Sequence, residues 1–127
     1  MKGNQKFFKC EKCGNFLTLI EAKGGPLTCC GVSMKELTAN TEEASVEKHL
    51  PDVTVTANGI DVAVGSVLHP MEAAHYIQFI YVETDKGGQF KHLELDESPV
   101  ASFTFVDEKP IAVYEYCNLH GLWKTEL

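Results

Sequence analysis

The 127 residues contain no apolar run long enough for a signal peptide or a membrane span, and the polar opening Met1-Lys2-Gly3-Asn4-Gln5-Lys6 leads directly into a cysteine motif. The expectation is a soluble, cytoplasmic protein with no membrane partner. Clustered cations are also missing. With 11 Lys and Arg against 18 Asp and Glu, the formal charge is −7, and a polyanion needs the opposite, so nucleic acid is excluded as a partner. The charge would also repel a small anion at long range, but salt screens that repulsion beyond roughly 8 Å, and local charge then decides. A complete disulfide framework is ruled out because the cysteines number 5. In a reducing compartment they read as metal ligands or reactive thiols.

What is present is a globular composition, 44% hydrophobic and 23% charged, in a length suited to one domain or a small domain with an appendage. Residues 7–37 hold four of the cysteines. A segment of that size cannot bury enough apolar surface to fold unaided and needs a staple. Cys10 and Cys13 flank a turn ending at Gly14, the knuckle in which two thiolates converge on a tetrahedral metal. Cys29 and Cys30 are adjacent, so both can reach one metal only if the backbone bends and the tetrahedron distorts. Short strands are expected at 7–9, 16–20 and 27–29, with Gly24-Gly25-Pro26 as a turn. Sulfur ligation alone leaves iron and zinc both open, and a redox dithiol is the further alternative.

After a polar connector at 38–41, where the domain boundary is placed, residues 42–48 could form a short helical turn. It ends at His49-Leu50-Pro51, because the residue before proline disfavours helix. From Val53 onward short strands dominate: an alternating pair around an Asn58-Gly59 hairpin turn, then 76–83, 89–95, 100–106 and 111–116, separated by Gly-, Asp- and Pro-bearing turns. This pattern indicates an antiparallel sandwich or barrel. The chain is organised around Cys117-Asn118-Leu119-His120-Gly121, where a thiol and an imidazole three residues apart share a turn that Gly121 can leave with positive φ. His49, His69 and His75 lie at the edges of apolar segments, and Pro70 stiffens the loop that carries two of them. The hypothesis is that the fold gathers His49, His69, His75, Cys117 and His120 around one iron. His92, in the middle of a polar-alternating strand, is left out of it as a structural histidine.

These residues carry a resemblance. Cys10-x-x-Cys13 with Cys29-Cys30 resembles the desulforedoxin-type iron site. Glu47-Lys48-His49-x-Pro51, Gly65-Ser66-Val67-x-His69-Pro70-Met71, His75-Tyr76-Ile77 and Tyr116-Cys117-Asn118-Leu119-His120-Gly121 resemble the catalytic domain of the desulfoferrodoxins, two-iron superoxide reductases. The resemblance implies an all-β chain, with a desulforedoxin-like domain at 1–37 and an immunoglobulin-like catalytic sandwich at 38–127, in a homodimer. It implies two irons per chain, one held by the four cysteines and one with four equatorial histidines, an axial Cys117 and an open sixth position. The activity implied is one-electron reduction of superoxide to hydrogen peroxide without dioxygen release, in oxidative-stress defence. Lys48 would draw superoxide in and position a water, Glu47 would take the sixth position on the ferric ion, and rubredoxin or a similar protein would donate electrons. The rival readings are an electron carrier with no substrate turnover and a zinc-stapled binding module.

Overall fold

The computed structural model describes residues 4–42 and 48–127. The helical turn expected over 42–48 falls mainly, and Glu47 wholly, outside them. The described chain divides into two compact units, Asn4–Thr38 and Ala39–Leu127. No helix occurs among the described residues, and none is long and apolar enough to cross a membrane.

The first unit contains β1 (Phe7–Lys9), β2 (Phe16–Thr18), β3 (Thr28–Cys29), β4 (Val32–Ser33) and β5 (Lys35–Glu36), arranged as a sheet of order β2-β1-β5 and a β3-β4 hairpin. Its buried apolar side chains among the described residues are Phe7, Cys10 and Met34, with Phe16 tilted against Phe7 at 6.2 Å. So small a core leaves the cysteine cluster as the main source of cohesion. The second strand stops at Thr18 rather than at residue 20. Thr18 pairs with Phe7, the first residue of β1, so the chain beyond it has no ladder partner and Ile20 projects into solvent.

The second unit contains β6 (Pro51–Val55), β7 (Gly59–Val64), β8 (Ile77–Thr84), β9 (Gly87–His92), β10 (Val100–Thr104), β11 (Pro110–Cys117) and β12 (Gly121–Glu126). They form two antiparallel sheets, β10-β7-β6 and β12-β11-β8-β9. This is the immunoglobulin-like arrangement with the fourth strand on the larger sheet. Alternation dictates the smaller sheet: Ile60, Val62 and Val64 point inward while Asp61 faces out, and Ala101 and Phe103 do the same from β10. They meet Ile77, Ile80, Val82, Val113 and Cys117 from the central strands of the larger sheet in one core. Strand β12 lacks a clean alternation, since consecutive Leu122 and Trp123 are both buried, and its periodicity gives no signal.

Two features close the sandwich edge. Gln89 donates its amide N–H to the Thr104 carbonyl at 3.1 Å, and the Lys91 ammonium donates to the Ser102 carbonyl while lying 5.2 Å from the Phe103 ring centroid. These donors cover carbonyls on the free edge of β10. At the hairpin, Thr56 N–H donates to the Gly59 carbonyl at 2.9 Å, as the Asn58-Gly59 pair leads one to expect. Gly59 also has a packing reason: a Cβ there would stand 1.7 Å from the Phe103 carbonyl oxygen. Gly59→Ala therefore forces two paired strands apart. Overpacking of this kind costs about 1–3 kcal/mol, so the denaturation midpoint should fall by that equivalent at equal metal content. An unchanged midpoint would show that the strands separate freely.

Candidate metal centre

His49 precedes β6, His69 and His75 sit on the connection from β7 to β8, Cys117 ends β11 and His120 lies in the turn to β12. The strands bring these ends together at one pole of the sandwich, and the five donor atoms fall within 4.8 Å of one another. Their arrangement is ordered. The imidazoles contact in a cycle, with ring centroids 4.7 Å apart for His49–His69, 4.5 Å for His69–His75, 5.0 Å for His75–His120 and 4.9 Å for His120–His49. Each ring is tilted by 61° to 82° against the next. Within the cycle, His49 Nε2 lies 3.1 Å from both His69 Nε2 and His120 Nδ1. An ion bound at about 2.1 Å by each imidazole would space neighbouring corners of a square by about 3.0 Å. The Cys117 sulfur is 3.5 Å from His69 Nε2 and 3.7 Å from His120 Nδ1, which are opposite corners, so it stands off the square rather than in it.

The remaining geometry follows from local chain constraints. His120, only three residues from Cys117, presents the near nitrogen Nδ1, whereas His49 and His69 reach in with Nε2. His69 Nδ1 is 2.8 Å from the Pro70 carbonyl. A carbonyl can only accept, so that nitrogen carries the proton and Nε2 keeps its lone pair for a metal. Cys117, His49 and His69 are buried, His75 is half-buried and His120 exposed. The sulfur thus faces the core, and the other side of the imidazole square faces outward. His92 lies outside the group, on exposed β9 beside Phe90.

Three residues in the surroundings had no role assigned from sequence. Trp123 stacks on His49 with centroids 4.6 Å apart and an interplanar angle of 13°, and its indole N–H donates to the His120 carbonyl at 3.1 Å. One side chain thus braces two corners of the square. Asn118 bonds to the His75 loop. Gly65 lies against half-exposed Lys48: a Cβ there would come within 2.8 Å of the Lys48 backbone. Gly65 and Asn118 stand in the motifs that carry the resemblance but had no role attached, and Trp123 lies just beyond the last of them.

In the first unit the sulfurs of Cys10, Cys13, Cys29 and Cys30 also cluster within 4.8 Å. Cys13 and Cys29 are 3.5 Å apart and Cys29 and Cys30 4.0 Å, around the edge of about 3.8 Å that a tetrahedron with 2.3 Å bonds requires. The backbone bend that adjacent cysteines need is found at Cys30, whose φ is 54°. Amide N–H groups of Cys13 and Asn15 point at Cys10 and Cys13 sulfur, each at 3.5 Å. The Cys13 N–H pulls the Cys10 thiol down to about 6, while the neighbouring sulfurs of Cys13 and Cys10 push Cys30 up to about 12. Metal entry must expel the remaining protons, so affinity should fall as pH drops, most steeply below about 6 where Cys10 is protonated as well.

A square of imidazoles with a buried cysteine on one side defines a candidate non-haem metal centre, in a chain that also carries a four-cysteine group. The chain belongs to the desulfoferrodoxin family: family models match as Desulfoferrodoxin over residues 41–126 and as Desulfoferrodoxin, N-terminal domain over residues 2–37. It is 43% identical to the desulfoferrodoxin of Nitratidesulfovibrio vulgaris over 99% of each chain. To that of Syntrophotalea carbinolica it is 44% identical over 94% of each. Among solved structures, the superoxide reductase from Treponema pallidum superposes with a TM-score of 0.85 at 34% identity, covering 96% of this chain and 98% of that one. The one-iron superoxide reductase from Giardia intestinalis aligns with a TM-score of 0.54 at 34% identity, over 64% of this chain and 99% of that one.

Trp123 is the chain's only tryptophan, and its stack on His49 makes it an internal reporter. Loading the histidine site with ferric iron should quench most of its emission by energy or electron transfer, and removing the metal with a chelator should restore it. Emission indifferent to the metal would separate the indole from the site.

Proposed function

We propose that this protein is a superoxide reductase that converts superoxide to hydrogen peroxide, O2•− + e− + 2 H+ → H2O2, with no dioxygen released. The observation that carries this reading is the donor arrangement: four imidazoles in a square and a cysteine sulfur on the core side. The superoxide reductases among its relatives and structural neighbours support it. The electron-carrier alternative has no such support.

In this reading His49, His69, His75, His120 and Cys117 would hold a single iron. Ferrous iron, when bound, supplies the electron. Four neutral imidazoles and one thiolate bring a single negative charge to a divalent ion, so an arriving anion meets net positive charge although the chain as a whole carries −7. Lys48, half-exposed and next to His49, adds a compact, mobile cation at the rim. Its ammonium draws superoxide in and orders a water that delivers protons, so that product departs as neutral peroxide. Glu47, outside the described residues, would be a further ligand of that iron in the oxidised protein. Cys10, Cys13, Cys29 and Cys30 hold the second iron, as an electron relay or as a staple of the 1–37 domain. Residues 38–127 form the catalytic domain, and the working assembly is a cytoplasmic homodimer reduced by rubredoxin or a similar small donor.

The deciding measurement is the peroxide formed per superoxide consumed by the reduced protein, with reductant supplied and dioxygen monitored. One peroxide per superoxide and no dioxygen is expected. Half that yield with dioxygen evolved would make the protein a dismutase instead. Lys48→Ile should slow the bimolecular reaction about tenfold or more, equivalent to about 1.4 kcal/mol, and flatten its dependence on ionic strength. A variant rate equal to that of the wild type at every ionic strength would remove Lys48 from the role.

A further inference from the structure

The His75 loop and the Cys117–His120 turn come from opposite parts of the sequence, yet both must hold donors at fixed separation. The side chain of Asn118 hydrogen-bonds the two segments to each other. Its Oδ1 accepts from the Tyr76 N–H at 2.9 Å, and its Nδ2 donates to the Ala74 carbonyl at 3.1 Å. Its own backbone N–H donates to the Tyr76 carbonyl at 3.2 Å. The three bonds bracket His75, whose backbone N–H and carbonyl are both engaged with Glu72 at 2.9 Å. With its own peptide groups and those of its neighbours taken, His75 has little freedom beyond its side-chain torsions.

We infer that Asn118 is a positioning residue that ties the thiolate turn to the His75 loop, setting the distance between the Cys117 sulfur and the half-buried His75 imidazole. The chemistry is specific to an amide. One head group supplies an acceptor to Tyr76 N–H and a donor to Ala74 carbonyl, which a carboxylate, two acceptors, cannot do. The loop has little other support: residues 72–74 are exposed, as are Val67 at 71% and Leu68 at 53%. Its further tethers are the Glu72–His75 pair, the Asp96 N–H to Met71 carbonyl bond at 3.4 Å and the Ile77 N–H, which donates to Met71 sulfur at 3.4 Å. Losing the amide would let His75 drift from its corner while Cys117, fixed in the core, stays. Groups that orient a ligand in this way typically carry about 10–100-fold in metal affinity or activity.

The inference rests on the five-donor reading above, and the test separates the two. Iron-loaded wild type, Asn118→Ala and Asn118→Asp are reduced and challenged with a ferrous chelator, and iron release from each centre is followed by absorption. Asn118→Ala should lose iron from the histidine centre at least tenfold faster than wild type. Asn118→Asp, which keeps the Tyr76 bond, should fall between them, and release from the four-cysteine centre should be identical in all three. In the oxidised proteins the thiolate-to-iron absorption band should shift in the order wild type, Asp, Ala. Wild-type release and an unmoved band in Asn118→Ala would overturn the inference and leave the donor set intact. If Asn118→Ala does not fold, Asn118→Asp decides on the same two readouts. Wild type that takes up no iron at the histidines would instead remove the five-donor reading itself.

Discussion

Cys117 ends β11 fully buried, in one cluster with Ile60, Val62, Ile77, Ile80 and Val113. A thiolate in such surroundings is tolerable only with a cation beside it, because the core offers neither water nor high dielectric to stabilise the charge. The pole of the sandwich is built to meet that demand. Strand β11 lies between β8 and β12, so its sulfur arrives at a point where the ends of both neighbours can deliver imidazoles. The square of histidines then covers the sulfur from the solvent side. Its outer face is left as the place where a small anion can approach.

The two metal sets are assembled by different means. The four-cysteine set is nearly local: a knuckle at 10–13 and a bend at 29–30, with an αL residue at Cys30 turning adjacent sulfurs to one side. It needs only the turn after β1 and the β3-β4 hairpin to meet. The histidine set is non-local. His49 and His120 are 71 residues apart yet 3.1 Å distant, and their approach requires both sheets to be in register. The second unit therefore carries a real core, while the first can be held by its metal alone.

Much of the site was legible in the chain because its chemistry is rare. Histidines at the edges of apolar segments and a Cys-x-x-His turn suggested that His49, His69, His75, Cys117 and His120 gather around one iron, while their separate roles came only from the resemblance. The strands of the smaller sheet were legible for the same kind of reason: Ile60, Val62 and Val64 alternate with outward residues. Strand β12 was not, because it buries Leu122 and Trp123 in succession, and β2 ended early because its partner began at Phe7. Bracing residues left no trace either. An asparagine in a turn and a tryptophan after it are ordinary in sequence, and their value appears only once Ala74, Tyr76 and His49 are placed beside them.

By itself, the sequence determined which residues could bind metal, that the four cysteines could share one metal only if the backbone bent at 29–30, and that the chain would be built mainly of strands, since each depends on residue type and short-range periodicity. Tertiary structure decided the rest. Which imidazoles became neighbours around the square, that the sulfur stands off it toward the core, and that His120 uses Nδ1 while His49 uses Nε2 all depend on how two sheets register over some seventy residues. That registration is fixed by the summed packing of the core, which no local pattern encodes.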